Sequence, residues 1–457
     1  MGIILAIEGP RESSDQVESS KITNPKEENK RLNRELRSIL QSPSYIMGQH
    51  IAKAYRKPMK VLALPVTIPI LAFNLIRGKK TQETNEDKIQ ITSDESKGAR
   101  HSVVLFPTNG VGFGHFTRTL AIARKLKKQD PSLEIVFVTT MPTLHPLSEE
   151  GFLTYHIPGR YRYKDMEPRV WNSLIEEFLL TVFALHRPKM FLFDGAFPYR
   201  GVLNSIKNNE SISKIWIRRG MFKKQTKPIP PESINHFDAI IRPGDAVSPE
   251  PIQEIEHDAA LIRCNPIVLF DKDELYPRGE LRSRLGIPEE AIVCYLQLGA
   301  GNINDISSDI NLTVSALSRH SEIVTVIGES ILGERIRQNN DAIRILRDYP
   351  NFSYFNDFDF AIMAGGYNSY HEAIQASLPT ICYPNLKTGT DDQLSRARIA
   401  EKAGSMIVIK KRTKSKIYSA VDQICDENIR GIMAKNAGTL QRANGASQVA
   451  KWIIENL

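Results

Sequence analysis

The residues best suited to chemistry stand where apolar runs give way to glycine. In HSVVLFPTNGVGFGHFTR, glycines at 110, 112 and 114 let the chain turn tightly at the end of a strand-like run, and His115 sits where a helix begins. An imidazole there can take a proton from a hydroxyl; a structural helix-cap histidine is the alternative. Asp194 ends a second apolar run, KMFLFDG. At the same sheet edge its carboxylate would orient the imidazole and stabilise the protonated form, while a turn or cap aspartate is the simpler reading. Gly112, Gly114 and Arg118 are candidate phosphate or acceptor contacts. So are Arg218 and Arg219 behind KIWI, which could equally lie on a solvated face.

The later half repeats the design. LQLGAGNIND offers Gly299 and Gly301 for close approach of a phosphate or sugar, with Asn302 as donor. AGGYNSYHEA places Gly365 and Gly366 before Asn368 and Ser369, at a helix start whose unpaired amides favour an anion. Glu372, one turn on, can accept two hydrogen bonds from a vicinal diol such as ribose. TGTDDQLSRAR sets Asp391, Asp392 and Gln393 at another helix start, where carboxylate and carboxamide suit sugar hydroxyls. The GxGxG turn ends in histidine and EIVFVTT ends without an acid, so no dinucleotide fingerprint is present. The DKD at 271–273 reads as solvated charge, and no metal site is expected.

Holding such turns along one edge requires strands alternating with helices. HSVVLFPT, EIVFVTT, KMFLFDG, KIWIRRG and DAIIRPG form one set, and AIVCYLQLG, EIVTVIG, FAIMAGG, TICYP and SMIVI a second. The fold class expected is α/β, with two facing doubly wound, Rossmann-like domains. Residues 101–270 would form an N-terminal α/β domain and 280–445 a C-terminal one, with 446–457 a closing helix. The four cysteines lie far apart, as buried reduced thiols would.

Residues 1–100 have a different texture. The net charge of +8 resides in one segment: from Leu36 to Gln82 there are eight basic residues and no acid, and 60 − 8 = 52 matches the 52 acidic residues of the chain. The body is neutral, which argues against a nucleic-acid partner. VLALPVTIPILAFNLI is uncharged, but as a straight helix it would reach only ~24 Å, short of a ~30 Å hydrocarbon core. Pro65 and Pro69 are expected to disrupt it. Residues 45–80 read as a helical, basic and apolar segment lying in one leaflet against anionic lipid, or else as a hairpin packed on the body. The stripe at 25–40 could support self-association. No basic stretch precedes the first apolar run, so a secretory signal is not expected, and the location inferred is cytoplasmic, on the inner face of the membrane.

GGYNSYHEAIQASLPTICYP followed by DDQ resembles the donor-binding signature of the UDP-sugar glycosyltransferases of the two-domain GT-B fold. That superfamily includes the plant and microbial UDP-glycosyltransferases and the peptidoglycan lipid-intermediate N-acetylglucosaminyltransferase. Gly366, Asn368, Ser369, Glu372, Pro379, Pro384, Asp392 and Gln393 fall on the signature. The resemblance implies Asn368 and Ser369 at a diphosphate, Glu372 at the ribose, and Asp392 with Gln393 at the transferred sugar. FLFDGAFPYRG is similar to the strand that carries the acidic partner of the catalytic histidine, which implies an Asp194–His115 pair. The likeness covers 101–457 and is strongest over 360–405. It departs at Ala364, where the plant signature has a phosphate-contacting histidine, at Ser377-Leu378, and in a longer loop from Pro384 to Asp392. The implied activity is an inverting, metal-independent hexosyl or N-acetylhexosaminyl transfer from a UDP-sugar, without cofactor. The acceptor would be a membrane-presented lipid-linked or cell-envelope glycan. A nucleotide-sugar hydrolase or epimerase, or a membrane-tethered glycan-binding scaffold without catalysis, are the competing readings.

Overall fold

The computed structural model describes residues 98–457 apart from 109–111, 164–165, 208, 220–230, 247–258, 300–305, 332–334, 336–341 and 389–390. Earlier in the chain it describes Tyr45, Gly48, His50, Ile51 and 64–76. The expectations for 25–40, Gly110, Gly301 and Asn302 lie outside the described residues. The chain divides into two units, Met1–Gln90 and Ile91–Leu457.

In the first unit, helix α1 runs Leu64–Ile76 straight through both prolines. Pro65 falls in the first turn, where amides have no helical partner, and Pro69 is carried inside the helix. The expected disruption does not occur. Val66 and Ile70 are exposed, and His50 Nε2 lies 3.0 Å from Thr67 Oγ1. Among the described residues no helix is long and apolar enough to cross a membrane.

The second unit holds two parallel sheets. β1 (Arg100–Pro107), β2 (Glu134–Thr139), β3 (Leu153–His156), β4 (Pro188–Asp194), β5 (Ser213–Ile217), β6 (Ala239–Pro243) and β7 (Ala260–Cys264) form the first, in the order β3-β2-β1-β4-β5-β6-β7. The second joins β8 (Ile292–Gln297), β9 (Ile323–Gly328), β10 (Ile343–Leu346), β11 (Phe360–Ala364), β12 (Thr380–Tyr383) and β13 (Met406–Val408), in the order β10-β9-β8-β11-β12-β13. Beyond its exposed first two residues, β1 is buried from Ser102 to Pro107, the pattern of a parallel sheet covered on both faces. The strands that the apolar runs missed, β3, β7 and β10, are all at sheet edges, where part of each strand faces solvent.

In each sheet the strand order reverses once, between β1 and β4 and between β8 and β11. A crevice opens at such a point, beyond the strands' carboxyl ends. Pro107 pairs with Asp194 across the first reversal, which sets that carboxylate beside the start of α2 (Gly114–Gln129). Across the second, Gln297 at the end of β8 pairs with Met363, just before the Gly365-Gly366 turn that leads into α3 (Tyr367–Ala376). α4 (Gln393–Lys402) follows β12.

One continuous apolar cluster runs from Val103 and Leu120 of the first half through Ile267 to Tyr295 and Ala361 of the second. The closing helix α5 (Gly445–Glu455) packs back on α2. Gly445 approaches the Asn265 carbonyl so closely that a Cβ would lie 2.0 Å from it. Asn444 caps α5 and bonds both backbone groups of Val268. Asp271 is not the solvated charge expected. With Glu274 it holds the buried Lys125 ammonium of α2, at 2.7 and 2.8 Å. Burial opposes that charge, but the two carboxylates hold the Lys125 pKa above its ordinary value.

Candidate active site

Gly114 begins α2, so His115 lies in the first helical turn, at the edge where β4 ends. Its Nδ1 is 2.7 Å from Asp194 Oδ1. Arg118, one turn on, grips the same carboxylate through Nε at 2.8 Å and through Nη2. Burial by itself would raise the Asp194 pKa, but the guanidinium and the imidazole hold it below the usual carboxylate range. Arg118 Nη2 also lies 3.1 Å from His115 Nδ1. One nitrogen cannot donate to the carboxylate and accept from Arg118 at once. If it accepted, its lone pair would face an ionised oxygen at 2.7 Å, so the proton belongs on Nδ1. His115, partly open to the cleft, therefore has Nε2 available as a proton acceptor.

This arrangement changes the part assigned to Arg118. Its side chain is 2% exposed and engaged by Asp194, so it is a neighbour of the carboxylate and not an open phosphate contact. With Asp194 already matched by a guanidinium, the carboxylate acts on His115 more through orientation than through charge.

A cleft of about 510 Å³ gathers Gly112, Gly114, His115, Arg118 and Arg219 from the first half. From the second it gathers Gly299, Gly366, Asn368, Ser369, Glu372 and Gln393. Gly366 is the residue preceding α3, and a Cβ there would meet nothing within 4 Å. Gly365 is required for packing instead, since a Cβ would press on Cys382 Sγ and the Gln393 carbonyl at 3.2 Å. Neither adopts a left-handed conformation. Gly299 does, at φ +102. Glu372 lies partly open to the cleft with no side-chain hydrogen bond to the described residues, and burial pushes its pKa up to about 7.

Two expectations are corrected. Asp392 is the N-cap of α4, accepting from Ser395 N at 3.1 Å and Ser395 Oγ at 2.7 Å, and it is Asp391 that lines the cleft. Arg218 is not among the cleft residues: its guanidinium lies over the Trp216 ring, 5.6 Å from the centroid. Burial and Arg242 lower its pKa to about 10. Gln393 is present in the cleft, with its Oε1 held by Asn385 N at 2.9 Å.

The sequence reading missed the groups that join the halves. Asp245, after β6, receives Arg396 of α4 at 2.8 and 2.7 Å, and Arg396 also donates to the Gly365 carbonyl and to Asp391. Asp245 follows an apolar run as Asp194 does, a signal available in DAIIRPGD. Tyr349 stacks on Phe113 with centroids 4.2 Å apart and shares a 2.6 Å hydrogen bond with Thr117. Nothing in its local sequence marks it.

Comparison with known proteins bears on the fold alone. No family model matches the sequence, and no curated protein does. Among solved structures, the architecture is that of the GT-B glycosyltransferases. The spinosyn rhamnosyltransferase SpnG is similar at 15% identity and a TM-score of 0.53, over 77% of this chain and 100% of its own. The glycotransferase of kitacinnamycin is similar at 13% identity and a TM-score of 0.55, over 78% and 99%. MurG of Acinetobacter baumannii is similar at 13% identity and a TM-score of 0.52, also over 78% and 99%.

The Glu372 carboxyl yields a pH prediction. Its folded pKa of about 7 lies above its ordinary 4.5, so the folded state binds more protons across that window and stability falls as pH rises through it. Allowing for its partial contact with solvent, the penalty at pH 8 is on the order of 1–2 kcal/mol. Glu372→Gln should therefore raise the urea midpoint at pH 8 and leave it nearly unchanged at pH 4.5. Equal effects at both pH values would refute the burial argument.

Proposed function

We propose that this protein is an inverting glycosyltransferase that moves a sugar from a nucleoside diphosphate donor to a hydroxyl acceptor. The observation that carries the reading is a single cleft holding His115, oriented by Asp194, opposite the N-terminus of α3 and Glu372, whose carboxyl has no hydrogen bond to the described residues. The amides at the start of α3, with Asn368 and Ser369, suit a diphosphate. Glu372 suits the vicinal diol of a ribose, whose hydroxyls would compensate its charge. The Asp391 and Gln393 side chains stand where sugar hydroxyls would follow.

In this reading His115 Nε2 removes the acceptor's proton as the oxygen attacks the anomeric carbon from the side opposite the leaving diphosphate. The donor's carbon–oxygen bond breaks, the configuration inverts, and the helix terminus stabilises the departing charge. Preorganised amides supply that stabilisation without need of a metal. A UDP-sugar fits the resemblance of the 360–405 motif, and one solved SpnG structure carries thymidine diphosphate. A membrane-presented acceptor is supported by the basic segment between Leu36 and Gln82 and by the apolar α1 within it, which would hold the protein at the inner membrane face.

A thermal-shift panel of nucleotide sugars tests the donor, because a ligand of the folded state raises its stability by mass action. UDP-sugars should give the largest shifts. His115→Ala should keep that shift while lowering transfer by about 10²–10⁴-fold; unchanged turnover would remove His115 from the chemistry, and brisk donor cleavage without acceptor would favour a hydrolase. The full chain should sediment with vesicles containing phosphatidylglycerol, less so at high salt, and not with phosphatidylcholine alone. Equal binding to both would contradict the charge argument.

A further inference from the structure

A diphosphate entering this cleft needs a matching cation. Among the described residues that line it, Arg118 and Arg219 carry guanidinium groups. Arg118 is held by Asp194. Behind the cleft, Arg396 is fully buried and fixed by Asp245, Asp391 and the Gly365 carbonyl. Arg219 is differently placed. Its side chain is 23% exposed, and its ion pair is with Asp391 at 3.3 Å, a looser contact than the 2.7 Å pair of Asp391 with Arg396. Its guanidinium lies 5.4 Å from the centroid of the Tyr367 ring, and Tyr367 is the first residue of α3. Arg219 therefore stands beside the anion-favouring helix terminus, although it comes from the other half of the fold.

Electrostatics agrees with a cation short of negative charge. Burial lowers the Arg219 pKa, Asp391 and, less so, Asp245 offset this only in part, and Arg396 and Arg118 add to the lowering. A diphosphate would supply what is missing. Asp391 does not depend on Arg219 to remain ionised, since Arg396 stays bonded to it.

We propose that Arg219 is a cross-cleft anion clamp that exchanges partners: it leaves Asp391 Oδ1, which Arg396 still holds, for the donor's diphosphate, and the position it vacates at that oxygen is taken by a hydroxyl of the transferred sugar. The proposal rests on the reading that the cleft takes a nucleoside diphosphate donor. It joins occupancy of the second half to a side chain of the first, beside His115.

The test is calorimetric titration of the full chain with UDP, dTDP and uridine. Loss of one charge-assisted contact corresponds to roughly 10–100-fold. Arg219→Gln should weaken nucleoside diphosphate binding by that factor and leave uridine within about twofold, and Arg219→Lys should recover part of the loss. Asp391→Asn should bind UDP at least as tightly as the wild type while losing the extra affinity that the sugar of a UDP-sugar provides. Undiminished UDP binding by Arg219→Gln, an equal loss of uridine, or weaker UDP binding by Asp391→Asn would each overturn the clamp and leave the proposed function standing. Wild-type protein that binds no nucleoside diphosphate would overturn the proposed function itself, and the clamp with it.

Discussion

A guanidinium without solvent exposure ties the two halves of the cleft together. Arg396 reaches from α4 to Asp245 at the end of β6, and on the way bonds the carbonyl of Gly365 and the carboxylate of Asp391. Burial works against both charges, yet each partner holds the other ionised: the Arg396 pKa is raised and that of Asp245 lowered. Removing one member of such a pair leaves an uncompensated buried charge, a loss of about 3–5 kcal/mol. The same side chain fixes the turn that opens α3. The position of the candidate anion site is thus tied to the contact between the sheets, so the two surfaces of the cleft are set by one interaction.

The carboxylates around the cleft divide into those already matched and one that is not. Asp194 and Asp391 each face guanidinium groups, and their pKa values are held down against the effect of burial. Among the described residues Glu372 faces none at hydrogen-bonding distance, and burial raises it. Matched carboxylates position other side chains. An unmatched one, in a cleft, is completed by what enters it. In the proposed function this separates the groups that build the site from the group that would meet the donor, and it is why Arg118 beside Asp194 matters: the pair keeps the imidazole proton on Nδ1, so that Nε2 can accept one.

Much of the site was legible because both sheets present their turns on one edge. A residue that ends an apolar run in a parallel sheet emerges at that edge, which is how His115 and Asp194 could be paired across 79 positions of chain. Glu372 was legible from helical spacing behind Gly366. The rest depended on distance in the fold. Arg118 resembled a ligand contact because helical position does not reveal that a buried carboxylate lies against it. Asp245 and Arg396 are 151 positions apart, and no local pattern pairs them. Asp391 and Asp392 are adjacent acids, and nothing in the sequence says which of them caps α4 and which faces the cleft. Three of the four edge strands, β3, β7 and β10, escaped notice because half-exposed strands lose the unbroken apolar run that marks central ones.

The central claim is that a nucleoside diphosphate lies between the two sheets with its phosphates on α3. A crystal structure of the protein with UDP tests it most directly. The account predicts phosphate oxygens within hydrogen-bonding distance of the amides that begin α3, with the ribose hydroxyls on Glu372 and His115 across the cleft from the diphosphate. Nucleotide bound elsewhere, or a cleft that stays empty at saturating UDP, would contradict it.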